Sequence, residues 1–170
     1  MERQGTEEIF KVELGITATE EKMRTLVTFR SSLFNTTQTK DYFINAGCFG
    51  DDVCKWLMGE FHAKGVETDQ EPGQEDFGWY FNFNMPTGSH CIVIGYRPGD
   101  NNEEGIWIGW LERKCGFIGS LLGGRKRGIS TSAIEMAHQI LSSSERIQNV
   151  RWHVQGDFDQ GKENLGSSTP

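Results

Sequence analysis

Residues 77–85 read FGWYFNFNM, and the alternation in this stretch limits the fold more than any other feature of the chain. Phe77, Trp79, Phe81, Phe83 and Met85 fall on one side of an extended backbone; Gly78, Tyr80, Asn82 and Asn84 fall on the other. A period of two is the mark of a strand with one face on a core and one toward water, the usual state of an antiparallel sheet. Such an aromatic row needs an apolar layer above it. The sequence supplies two segments of helical period that fit.

The first, FGDDVCKWLMGEFHAKG, sets Val53, Trp56, Leu57 and Phe61 on one helical face, with Asp51 as its expected N-cap and Gly65 as its stop. The second, ISTSAIEMAHQILSSS, aligns Ile134, Ala137, His138 and Leu141, and Ser132 with Glu135 has capping-box spacing. RTLVTFRS alternates as a strand. HCIVIGYR and GIWIGWLERK continue the 77–85 strand as a meander, and NVRWHV closes the pattern. The order β-α-β-β-β-α-β predicts an α+β two-layer sandwich, a mainly antiparallel sheet with two helices on one face. VETDQEPGQED, at 66–76, reads as an acidic loop.

At 170 residues the chain fits one domain. Residues 1–22 read as a flexible N-terminal extension, with Met23 as the natural start; the alternative is an ordinary helix from about Glu7 to Leu14. Residues 23–155 form the single α+β domain, and 156–170, poor in apolar residues, a disordered C-terminal tail.

A net charge of −7 disfavours nucleic acid and anionic membranes and favours a cationic protein partner. No run approaches the roughly 20 apolar residues of a membrane span, and MERQGTEEIF lacks the apolar core of a signal peptide. The expected location is therefore cytoplasmic, with Cys48, Cys54, Cys91 and Cys115 as thiols. Their spacing is not that of zinc pairs, so neither metal nor cofactor is expected.

QEDFGWYFNF, after an amphipathic helix, resembles a group of small bacterial cytosolic proteins that carry an E-D-W-G-W-Y motif. The matching residues are Glu75, Asp76, Phe77, Gly78, Trp79 and Tyr80, then Trp107 and Trp110, then Leu121 to Arg127. Phe77 stands where Trp is usual. The resemblance runs from Arg24 to Val154 and implies a shared fold and a bacterial source, but no activity.

CGFIGSLLGGRKRG, at 115–128, comes near a P-loop at Gly119 to Lys126, yet no Ser or Thr follows the base and no parallel β-α-β unit surrounds it. Phe117, Ile118, Leu121 and Leu122 are apolar for a connection, and Arg125, Lys126 and Arg127 follow them. The segment reads as a contact lobe, as a solvated basic loop, or as a weak anion site beside the helix start at Ser130. The acidic loop and these bases could also hold each other.

Elsewhere, Glu75 and Asp76 are the best acidic candidates, though adjacent strand residues point apart and make a poor acid/base couple. Tyr80 and Trp107, with Tyr96 alongside, are expected to form an aromatic patch with Asn82 and Asn84 on the sheet face away from the helices. That patch would suit a ligand or peptide; it is also what an ordinary amphipathic sheet presents. His138 reads as a satisfied core histidine, His62 as a surface residue, and His153 shares a strand face with Arg151 toward solvent.

These features favour a non-catalytic interaction or regulatory module with a protein partner, one concrete form of which is an immunity- or inhibitor-type protein. The alternative is a small enzyme or binding domain for a phosphorylated or carboxylated molecule. There Arg125 to Arg127 would hold the anion, with Glu75, Asp76 or His90 acting on it.

Overall fold

The computed structural model describes residues 23–100, 103–114 and 128–170. Seven antiparallel strands form one open sheet: β1 (Leu26–Arg30), β2 (Glu67–Thr68), β3 (Gly73–Glu75), β4 (Gly78–Met85), β5 (Gly88–Arg97), β6 (Ile106–Arg113) and β7 (Gln148–His153). The main path runs β2-β4-β5-β6-β1-β7, and β3 pairs with β4 beside β2. Two helices, α1 (Asp51–Ala63) and α2 (Thr131–Ser143), pack on one face. The two-layer α+β sandwich expected from the periodicity is therefore the architecture found.

Register explains the layering. Val27 pairs with Gly109, Gly109 with Ile94 and Ile94 with Trp79, so these residues form one transverse row beneath the helices. Leu111, Ile92 and Phe81 form a second row. Against them α1 sets Val53, Leu57 and Phe61, and α2 sets Ala133, Ile134, Ala137 and Ile140. Phe61 meets Phe83 with ring centroids 4.7 Å apart. Full burial of such a side chain contributes about 1.5–3 kcal/mol, which is why Trp79, Phe81 and Phe83 turn inward. Phe77, expected on the same face, precedes the strand, is exposed and meets Trp110 on the outer face.

The helix ends differ from expectation. Gly50, at φ 140°, is the N-cap of α1; a Cβ there would lie 3.1 Å from the Ile94 carbonyl oxygen. Asp51 is thereby moved into the first turn, and its carboxylate bonds elsewhere. For α2 the cap is Ser130, whose Oγ accepts the Ala133 N–H at 3.2 Å, rather than Ser132.

The acidic stretch after α1 is also more ordered than expected, because β2 and β3 pair with the outer edge of β4. In the gap between them the Asp69 carboxylate accepts the Asn82 backbone N–H at 2.8 Å and its Nδ2 at 2.7 Å. Residues 156–170, expected as a tail, instead build α3 (Gln155–Asp159) and a 3-10 turn (Glu163–Leu165). Arg97 grips Glu163 through two hydrogen bonds of 2.7 Å, and Ser167 exchanges both backbone bonds with Trp152 on the edge of β7. Further along β7, Asn149 is left-handed at φ 53°. This packing buries His153, which the sequence reading turned toward solvent.

Candidate functional site

Residues 31–50 contain no regular element, yet the segment is tied down at many points. An irregular segment of this length is seldom ordered without a function. The Asn35 N–H donates to Asp52 Oδ2 at 2.7 Å, next to the start of α1. Gln74 of β3 accepts the Ile44 N–H at 2.6 Å and returns its Nε2 to the Asn45 carbonyl at 3.2 Å. Trp79 donates Nε1 to the Cys48 carbonyl at 2.8 Å.

The strongest tie is at Asp51. Its carboxylate is 1% exposed, and Oδ2 accepts from Lys40 Nζ at 2.6 Å and from the Tyr42 hydroxyl at 2.5 Å. Burial pushes the Asp51 carboxyl up, but the Lys40 ammonium and the Tyr42 hydroxyl outweigh it and hold the group below its ordinary value. Asp51 Oδ1 is buried without a hydrogen-bond partner. Tyr42, a residue 53% exposed, is thus fixed by its hydroxyl at the rim of a cleft of about 440 Å³ between this segment and β3. Ile44, 79% exposed, lies on the same rim.

A second cleft, of about 390 Å³, lies on the sheet face away from the helices. Tyr80, Val93, Asn82 and Cys91 form its floor; Glu75 and Phe77 stand at one end, and Glu112, Arg113 and Lys114 at the other. Tyr80 opposes Gly73 across the β3–β4 ladder, and its ring covers the space a Cβ at Gly73 would take, 2.6 Å from Cζ. Burial, then the nearby Glu75 carboxylate, push the Tyr80 phenol up, so it stays a neutral donor. Phe77, 58% exposed, reaches Trp110 with centroids 5.8 Å apart.

Glu75 and Tyr80, both singled out in the sequence, therefore line one cleft. Asp76 turns away and accepts from Asn45 Nδ2 at 3.2 Å, so the adjacent acids do point apart. Trp107 does not join Tyr80. It is 0% exposed, opposes Tyr96 in the register, and packs edge-on against Phe34 at 5.8 Å under the helices. Tyr96 shares that inner face, 4.9 Å from Trp107. The outward aromatic of β6 is Trp110, which opposes Val93, itself opposite Tyr80. Phe117, Ile118, Leu121, Leu122, Arg125, Lys126 and Arg127 lie outside the described residues, as does most of the expected pairing between acidic and basic stretches. Within that acidic stretch, Glu71 pairs instead with Lys55 at 3.3 Å.

His90 is fully buried: Nε2 accepts the Ser130 N–H at 3.1 Å, so Nδ1 carries the proton that it gives to the Gly88 carbonyl at 2.9 Å. His138 Nδ1 accepts from Trp152 Nε1 at 3.1 Å, as a satisfied core histidine would. His62 is exposed and meets Thr68 Oγ1 at 2.8 Å. Among the described residues no group of three or more His, Cys, Asp or Glu could hold a metal ion, and no helix is long and apolar enough to cross a membrane. The 31–50 segment carried no sequence signal, because its order depends on Gln74 and Trp79, roughly thirty residues further on. No protein-family model, curated protein or solved structure matches the chain.

Proposed function

We propose that the protein is a non-catalytic interaction module, of inhibitor or immunity type, that engages a cationic protein partner in a bacterial cytoplasm. The observation that carries this reading is Tyr42 and Ile44, large, exposed and on the rim of one cleft beside β3, with Phe77 exposed at the end of the outer cleft. Single exposed apolar residues are ordinary. Here Gln74 clamps the backbone of Ile44, Asp51 holds Tyr42, and Asn45 bonds Asp76 beside Phe77, so the group is pre-ordered and docking would lose little conformational entropy. Glu71 lines the cleft with Tyr42 and Ile44, Glu75 lines the outer cleft with Phe77, and the chain's charge of −7 would speed encounter with a cationic surface.

The enzyme reading needs Glu75, Asp76 or His90 beside a bound anion. His90 lies under the helices with both ring nitrogens bonded, while Glu75 and Asp76 face different surroundings. Support therefore falls to the interaction reading.

The test is capture of the tagged chain from its host at low and high salt, beside a variant carrying Ile44→Asp with Phe77→Asp and another carrying Arg125, Lys126 and Arg127→Glu. A stoichiometric protein held by the wild type, lost from the first variant with its circular dichroism unchanged, and weakened by salt is expected. A bare chain carrying a small anion, lost from the second variant, overturns the proposal.

A further inference from the structure

We infer that the cleft beside Tyr42 is a subsite for an arginine side chain of that partner, held in the unbound protein by the chain's own Lys55. The inference rests on the interaction reading and names its recognition chemistry. Lys55 projects from α1 with its Nζ 5.6 Å from the Tyr42 ring centroid and 3.3 Å from Glu71 Oε2. An aromatic face and a carboxylate on one ammonium are the two elements of a cation-binding pocket. Both belong to the cleft lining, whose remaining wall is apolar at Ile44, Pro72 and Trp79. That wall suits the aliphatic stem of a long cationic side chain whose head lies over Tyr42.

Lys55 holds this place weakly. About half of its side chain and three quarters of that of Glu71 remain exposed, and a solvated pair of this kind exchanges at little cost. Arginine is the better occupant: its planar guanidinium stacks on a ring and can take both oxygens of a carboxylate, whereas an ammonium is a point charge. The buried Asp51 carboxylate accepts the Tyr42 hydroxyl and so fixes the phenol, and the stacking surface is formed before any ligand arrives. The Asp51 charge is balanced by Lys40, whose Nζ lies 2.6 Å from Oδ2 and 5.7 Å from the Tyr42 ring centroid. Glu71 is the carboxylate of the cleft lining, and the chain's charge of −7 favours an approaching cation.

The experiment measures anisotropy of a labelled hexa-arginine peptide with the full chain, against hexa-lysine and hexa-glutamate. Hexa-arginine binds tightest. Tyr42→Leu weakens it about fivefold, while Tyr42→Phe, which keeps the ring, retains binding. Lys55→Met tightens it by about the same factor, beyond the gain from Lys64→Met, which removes an equal charge at the end of the same helix. Unchanged binding in Tyr42→Leu, or equal gains in the two lysine variants, overturns the subsite. So does preference for hexa-glutamate. A native partner lost from the Ile44/Phe77 variant but held equally by Tyr42→Leu and Lys55→Met overturns the subsite and leaves the interaction reading standing. Absence of both peptide binding and a protein partner overturns both.

Discussion

The backbone N–H of Ser130 donates to Nε2 of His90, so the N-cap of α2 is fastened to an imidazole on β5 that must stay neutral. Burial, reinforced by Arg113, lowers the pKa of His90 from 6.5 despite the Gly88 carbonyl, and burial likewise lowers that of His153. In the unfolded chain both imidazoles take a proton near pH 6.5; in the fold they take it only at lower pH. Stability should therefore be full above about pH 6.5 and fall as the pH drops through the folded values. Urea midpoints measured between about pH 7.5 and 5 check this. His90→Leu should flatten the fall and, by stranding the Ser130 N–H, cost about 1–3 kcal/mol at neutral pH.

Two tryptophans three residues apart give opposite expectations. Trp107→Ala opens a cavity between the sheet and Phe34 and should cost about 3–5 kcal/mol. Trp110→Ala, on the outer face against Phe77, should cost less than half of that while altering the outer cleft. Chemical denaturation of both variants, with their near-ultraviolet spectra, separates the two faces of β6.

Gly78 and Gly73 lie close together on the β3–β4 ladder but tolerate a methyl group differently. A Cβ at Gly78 would sit 2.4 Å from the Ile94 carbonyl oxygen, which is backbone and cannot step aside. At Gly73 it meets only the ring of Tyr80, which can swing out. Gly78→Ala should cost about 2 kcal/mol or more, and Gly73→Ala about 1 kcal/mol or less. Urea titration ranks them; in Gly73→Ala the fluorescence of Tyr80 and Trp110 should also shift.

Asp51→Asn keeps the shape of the side chain but removes the charge that holds Lys40 and Tyr42. A cost of about 1–3 kcal/mol is expected, together with faster amide hydrogen exchange across residues 35–45. Because the folded pKa of Asp51 lies below its ordinary value of 3.8, its contribution is present above that value and is lost as the pH falls through the folded one. The variant should therefore lose part of the wild type's acid sensitivity below about pH 4.

Much of this architecture is legible in the residues themselves. The alternation of 77–85 and the apolar faces of α1 and α2 are local patterns, so sheet, helices and meander follow from them. What a local pattern lacks is the phase of one strand against the next. Trp107 was grouped with Tyr80 because nothing in either strand states that the register sets Tyr80 opposite Val93, and Val93 opposite Trp110. The order of 31–50 and of 155–170 was invisible for a related reason. Gln74 and Arg97 hold these segments from about 30 and 66 residues away, and the apolar residues of 31–50 follow neither a helical nor a strand period.

The two borders of the sheet have a consequence for crowding. A long bare strand is a template on which other chains can add, and growth of that kind ends in fibrils. On one border β4 is covered by two strands of two and three residues, with the Asp69 carboxylate filling the gap between them. On the other, Ser167 takes both outward bonds of Trp152, and the left-handed Asn149 bends the backbone just before the next free position. A stray strand finds a usable stretch of two or three residues at either side, too short to seed. Copies of this protein, even when densely packed, should meet through their faces and side chains and leave their backbones unshared.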